Sequence, residues 1–209
     1  FDGGISGWTN QSNGTGAIAH DAAIEALALQ ANGAGNEAIA EQAVTTTATG
    51  QEHVLFFRVL GAAGDQVTLR IGASSGAEDI LPAAKFAVGW HARSFTPATS
   101  PFFLRFENGL AKSLSVDDIS IPDGASVELG CPYREQELFT IMQAQSADVL
   151  YLVHRSHPVY KLTRTGHTSW DMIEAAFEDG PYLTQNITGT TLTPSAISGF
   201  GITLTASAT

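Results

Sequence analysis

Short runs of alternating apolar and polar residues, separated by Gly, Pro, Asn or Asp, recur along most of this chain. A strand points successive side chains to opposite faces, so such a run buries one face and wets the other. Residues 66–72 are the cleanest case, with Val67, Leu69 and Ile71 set against Thr68 and Arg70. Residues 53–60 (HVLFFRVL) have the aromatic and β-branched content of a buried strand, and 38–49, 90–96, 102–107 and 114–121 add further runs. A weaker strand follows the loop that begins at Ser74, and Trp8 in the turn-rich first 16 residues reads as a core anchor. Short strands at this spacing, with turn signals between them, predict an all-β sandwich or barrel. Residues 17–31 admit two readings. They are rich in helix formers, yet Ile24, Ala26, Ala28 and Glu25, Leu27, Leu29 alternate toward Asn32-Gly33. Strands are favoured there because the neighbouring segments are β.

Beyond Pro122 the texture changes. Pro122 to Ala125 reads as a turn and a module boundary. Residues 126–131 predict a short strand, and 134–139 a helical turn within a loop. Residues 147–183 read as strand, turn, strand, turn. Leu150, Leu152 and His154 alternate with Tyr151 and Val153, Pro158 breaks the pattern, and a second short run reaches Leu162. A Gly-His-Thr-Ser-Trp turn, another apolar run and a Gly180-Pro181 stop complete it. Leu192 to Ala208 is a Thr-rich alternating stretch.

The chain of 209 residues carries 21 acidic and 10 basic residues, a formal charge of −11. No basic stripe is present to neutralise phosphates, which argues against nucleic acid and against an anionic membrane surface. No apolar run approaches the roughly 20 residues that span a bilayer as a helix, so no membrane insertion is expected. A single cysteine, Cys131, excludes an intrachain disulfide and a cysteine-rich zinc cage, and reads as a small buried hydrophobe. A start at Phe1 and an abrupt end read as a segment cut from a longer polypeptide.

Five short motifs fall in a telling order: F-D-G-G-x-x-G-W-T at the start, A-E-Q-x-V, F-x-V, W-x-x-x-S-F-T-P and V-D-D-I-S-I. Over residues 1–122 this order resembles the jelly-roll carbohydrate-binding modules of the family 4/9-like type. The resemblance implies a two-sheet jelly roll. It also implies a structural calcium between the first and last strands, with Asp2 and Asp118 of the Asp117-Asp118 pair as ligands. Calcium takes six to eight oxygens, so carboxylates with backbone carbonyls suit it. Surface or turn-forming acids are the plainer reading of the same residues. A sugar site needs aromatic rings flanked by hydrogen-bonding side chains, and Trp90 with His91 is the candidate pair. Core packing is the stronger reading for Trp90, and composition does not support a sugar site.

The segments CPYREQEL, QSADVLYLVHRSHPVYKLTRTGHTSW and FEDGPYL resemble a stretch of the large structural proteins in the tail or neck of tailed bacteriophages. The match covers residues 127–183 and continues into the Thr-rich strand pair to about residue 205. It implies a propeller-like or repeated β module, with other virion proteins, copies of the same chain and host-surface polysaccharide as partners.

Catalytic patterns are missing from the sequence. There is no G-x-S-x-G elbow, no G-x-x-x-x-G-K-[ST] and no strand-to-helix G-x-G-x-x-G. His154 and His157 stand three apart, but i and i+3 on one strand face opposite ways, so they read as turn residues rather than joint metal ligands. His167 reads as a turn residue packed on Trp170. The expectation is thus a non-enzymatic all-β chain: a jelly-roll β-sandwich over 1–122 and a smaller β-rich, propeller-like or repeat module over 123–209. The expected role is that of a virion structural protein whose jelly roll contacts host glycans, located in the phage tail or neck. The alternative is an extracellular carbohydrate-binding module. No catalytic residue is assigned, and calcium is the one cofactor considered.

Overall fold

The computed structural model of the chain describes residues 4–122, 128–177 and 189–207. The strands are β1 (Thr9–Asn10), β2 (Ala17–Asp21), β3 (Ala26–Gln30), β4 (Ala38–Val44), β5 (His53–Leu60), β6 (Gln66–Gly72), β7 (Leu81–Ala87) and β8 (Gly89–Phe95). They continue as β9 (Phe102–Asn108), β10 (Ser113–Ser120), β11 (Met142–Ser146), β12 (Val149–His154), β13 (His157–Arg164), β14 (Trp170–Glu174), β15 (Leu192–Pro194) and β16 (Leu204–Ala206). A 3₁₀ helix, Glu135–Thr140, precedes β11. No helix among the described residues is long and apolar enough to cross a membrane.

Two antiparallel sheets make the sandwich. The smaller has the order β1-β4-β9-β6-β7 and the larger β11-β12-β13-β14-β8-β5-β10-β3-β2. The all-β expectation holds, and 17–31, favoured as strand over helix, forms the β2–β3 hairpin. Helix propensity there loses to cross-strand burial: Ala26, Leu27 and Leu29 are fully buried.

Period-2 patterning builds the core. In β9, Phe102, Leu104, Phe106 and Asn108 point inward while Phe103, Arg105 and Glu107 point out. They meet Leu55, Phe57 and Val59 of β5 and Leu114 and Val116 of β10 from the other sheet. Phe57 packs on Phe106 at 5.3 Å between centroids and on Phe86 at 5.1 Å, edge to face. Trp8 is the expected anchor, tilted on Phe106 at 5.9 Å. Asn108, fully buried, has all its polar atoms engaged. Its amide nitrogen donates to the carbonyls of Leu29 and Lys112, and its oxygen accepts from the Leu110 N–H.

Residues 142–174 differ from expectation. Their four strands form no sheet of their own but extend the larger sheet, with β14 pairing onto β8. The compact unit accordingly runs from Phe1 to Ala176, with Phe177–Thr209 as the second unit, whereas the sequence texture had suggested a division at Pro122. Residues 128–131 are not strand, and Cys131 is exposed rather than buried, because its segment lies on the outer side of a sheet with no further layer above it. Pro158 does not break the chain but lies inside β13, opposite the irregularity between Leu152 and His154 of β12. That is where a strand tolerates a residue without an N–H. In the second unit β15 pairs with β16, and Leu192, Ile197, Phe200 and Leu204 are all exposed.

Phe106→Ala removes a fully buried ring that joins both sheets. It is expected to cost about 3–5 kcal/mol of stability, measured by urea unfolding of the variant against the parent chain.

Candidate functional site

Antiparallel register sets which side chains share a face. On the outer face of the larger sheet one row runs Asp117, Arg58, Trp90, Met172, Leu162, Leu150 across β10, β5, β8, β14, β13 and β12. The neighbouring row runs Ser120, Phe56, Ala92, Trp170. Val54, Phe56 and Ala92 form a second apolar cluster on this face, with Leu129 and Trp170 packed against it. Leu129 comes from the segment that crosses the sheet after β10.

Between that segment and the sheet lies a cleft of about 580 Å³, lined by Phe56, Trp90, Asp118, Ser120, Glu128 and Leu129 among others. Its size is that of a small-ligand site. Arg58 lies over the Trp90 ring with its guanidinium carbon 4.4 Å from the centroid, a cation–π contact that fixes the indole. Gly130 meets the opposite side of the problem: a Cβ there would stand 2.3 Å from Trp90 Cδ1 and 2.5 Å from Nε1, so only glycine lets the segment pass. Aromatic surface, two carboxylates and a hydroxyl thus converge in one open cleft.

Trp90 and His91 both line the cleft, but their side chains take opposite faces of β8. His91 points to the other face and is buried. Its Nδ1 lies 2.6 Å from Asp171 Oδ1 and its Nε2 2.7 Å from the Ala87 carbonyl oxygen, so no polar atom of the ring is left to offer a sugar. Arg93 donates to both Asp171 oxygens at 2.6 and 2.7 Å and to the carbonyls of Ala92 and Trp170. Burial works against the Asp171 carboxylate, yet the hydrogen bonds from His91 and Arg93 outweigh it and hold its pKa below the ordinary value. This trio clamps β14 to β8 beneath the cleft. Gly89 permits the approach, since its φ is +144° and a Cβ would lie 2.3 Å from the Met172 carbonyl oxygen.

Asp118 sits at the irregularity of β10 with φ +50° and is exposed. It lines the cleft and also a smaller surface hollow with Trp8, Gln42 and Ile119. Asp2 lies outside the described residues. His167 and Trp170 line one hollow with Leu129 and Leu162. The His167 backbone carbonyl accepts from the indole N–H at 3.2 Å.

The His154–His157 pair overturns the strand argument made against it. The two residues flank the two-residue turn between β12 and β13 and face each other in register, so a hairpin brings i and i+3 together. Glu137 of the 3₁₀ helix joins them: one ligand atom from each of the three lies within 4.8 Å of the others. Among the described residues this is the sole such grouping of three His, Cys, Asp or Glu side chains. Neither Glu137 nor the Asp171–Arg93 clamp was signalled by sequence, because each partner lies many residues from its mate.

No protein-family model matches the chain, and no curated protein matches it in sequence. Among solved structures it is similar to BiXyn10A CBM1 in its apo form (16% identity, TM-score 0.45), which covers 58% of this chain and 92% of that one. It is similar also to a CBM4 (20% identity, TM-score 0.44, covering 58% of this chain and 98% of that one). A third is the enzymatically active domain of Bacteriophage CBA120 tailspike protein 4 (13% identity, TM-score 0.39, covering 55% of this chain and 19% of that one). The β-sandwich itself is established by the strand pairing and the shared core.

Asp171→Asn leaves the Arg93 charge without its counter-ion in a largely buried setting and is expected to cost about 2–4 kcal/mol. Because the folded pKa is lowered, the carboxylate's contribution is complete above the ordinary aspartate value of about 3.9 and is lost as pH falls through the folded value. Urea midpoints of parent and variant are therefore expected to differ at neutral pH and to converge in acid.

Proposed function

We propose that the chain is a non-catalytic glycan-binding β-sandwich carried on the tail or neck of a phage particle, where it contacts host-surface polysaccharide. The observation that carries the glycan reading is the outer-face cleft, in which Trp90 and Phe56 lie beside Asp118, Ser120 and Glu128. Sugar recognition asks for this pairing of apolar ring surface with hydrogen-bond acceptors and donors. The virion placement rests on the likeness of residues 127–183 to phage structural proteins. Other virion proteins and copies of the chain are its partners. The outermost strand β11, exposed at every residue from Met142 on, and the neighbouring Phe139 suit such packing. The second reading, a free-standing extracellular carbohydrate-binding module, keeps the same cleft and drops the particle.

A panel of bacterial surface polysaccharides, screened by array and then by calorimetry, tests the glycan reading. Saturable binding is expected, weakened about tenfold or more by Trp90→Ala through lost apolar contact. Gly130→Ala is expected to impair it as well, by pushing the covering segment off Trp90. An absence of saturable binding, or binding indifferent to both changes, would overturn the reading. Mass spectrometry of purified particles separates the two placements, since a free module does not travel with them.

A structural calcium at Asp118 belongs to the same proposal. Asp118 and Gln42 line one surface hollow, and a carboxylate and an amide carbonyl are hard oxygen donors of the kind calcium takes. Adding calcium to chelator-treated protein is expected to raise its melting temperature, and Asp118→Asn to abolish that rise.

A further inference from the structure

We infer that Glu137, His154 and His157 form a binding site for a borderline divalent transition cation, for which Zn²⁺ is the natural probe. The site is independent of the glycan cleft. Two imidazoles and one carboxylate are the donor set that suits zinc, nickel or copper, whereas calcium and magnesium prefer oxygen throughout. The three side chains come from three elements held against each other. His154 ends β12, His157 begins β13, and Glu137 projects from the 3₁₀ helix.

The surroundings are organised as a metal site's second layer would be. Glu137 Oε2 accepts the Arg134 N–H at 2.9 Å and meets His157 Nε2 at 2.9 Å, which aims the carboxylate at the histidines. These two contacts, the backbone one foremost, also lower the Glu137 pKa and keep it an anion. His154, buried, places Nε2 3.0 Å from Thr140 Oγ1, and that hydroxyl donates to the Glu137 carbonyl at 2.8 Å. Tyr133, buried beside them, sets its ring edge to face on His157 at 5.2 Å and on His154 at 6.3 Å. The aromatic wall limits water on one side, and a fourth coordination position remains for water or the Thr140 hydroxyl.

Metal binding exchanges existing bonds for stronger ones without net loss of satisfaction. With His154 Nδ1 accepting the Ser156 N–H at 3.2 Å, the ring proton sits on Nε2. For Nε2 to take a cation, that proton moves to Nδ1 and the Ser156 N–H turns to water. Ser156 is exposed at the hairpin tip, so water is at hand. Likewise the His157–Glu137 bond opens as both atoms turn to the ion. Tetrahedral zinc with bonds of about 2.0–2.1 Å spaces its ligand atoms by about 3.3 Å, so modest side-chain rotations complete the site.

The test titrates the chelator-stripped full chain with Co²⁺ and Zn²⁺. One equivalent of Co²⁺ is expected to give the visible absorption of a low-coordinate N,O site, bleached by Zn²⁺, and Zn²⁺ is expected to raise the melting temperature. His157→Ala and Glu137→Gln should each weaken zinc by about tenfold or more. Glu137→Gln keeps the oxygen that accepts from Arg134, so it separates lost ligation from lost folding. His20→Ala, at the separate His20–Glu25 contact, should change nothing. No saturable uptake, or uptake that survives His157→Ala and Glu137→Gln, overturns the assignment.

Discussion

The contact on which the larger sheet's extension depends is the clamp of Asp171 by His91 and Arg93. Register lines up Phe57, His91 and Asp171 across β5, β8 and β14 on the inner face. At Phe57 the row is pure aromatic core, with His91 stacked on it at 5.0 Å. One strand further out the core has ended, and a carboxylate closes the row instead. Arg93 covers that end, its guanidinium 4.6 Å from the centre of the Phe86 ring. The transition from apolar to ionic packing thus happens within two strands. It lets β14, and through it β13, β12 and β11, continue a sheet whose opposing layer stops at β7. Backbone pairing alone would join these strands, but it would not choose their register. The ion pair does, because a one-residue slip would turn Asp171 to the outer face and leave His91 and Arg93 facing apolar neighbours.

The same register decides what the outer face can do. With Asp171 held inward, Trp170 and Met172 point outward, beside Ala92 and Trp90. Leu129 then has an apolar floor to lie on, and the crossing segment comes down over Trp90 at Gly130. The cleft is therefore a consequence of the clamp beneath it: an inward acid makes an outward aromatic row. By contrast the outer face of the smaller sheet is occupied by charge. Glu41, nearly buried, accepts from Ser75 and the Gly76 N–H, and Arg70 pairs with Glu107. That face closes on itself through ion pairs.

How much of this was legible in the sequence follows from range. Strands β5 and β6 were readable to the residue, because alternation and β-branched content are local signals that survive in the fold. The β2–β3 hairpin was readable only by appeal to its neighbours, since Ala and Leu favour helix until a sheet buries them. Trp90 was readable as an aromatic of interest, but the role of His91 was not. Adjacent strand residues face opposite ways, and the one beside an outward Trp is for that reason inward. Cys131 was misjudged because composition predicts burial for a free thiol, whereas exposure here is set by the lack of a layer above residues 128–131. The extension of the sheet past Pro122 was invisible, because pairing β14 to β8 joins residues about 80 positions apart and no local pattern encodes that.

The His154–His157 pair shows the same lesson at the shortest range. The alternation rule separates i from i+3 only while the strand continues. Arg155 and Ser156 make the turn, and a two-residue turn returns the chain so that its flanking residues stand opposite each other. Pro158 then becomes informative in a new way. Its missing N–H is tolerated at the irregular pairing beside the turn, which keeps the hairpin tip short and fixes where His157 stands. The 3₁₀ helix supplies what the hairpin cannot, a carboxylate from outside the sheet. Its own geometry ties that carboxylate back to the Arg134 N–H, while the Arg134 carbonyl accepts the Glu137 N–H at 2.9 Å. Three residues with no shared local pattern thereby converge because a turn, a proline and a helix cap each constrain one of them.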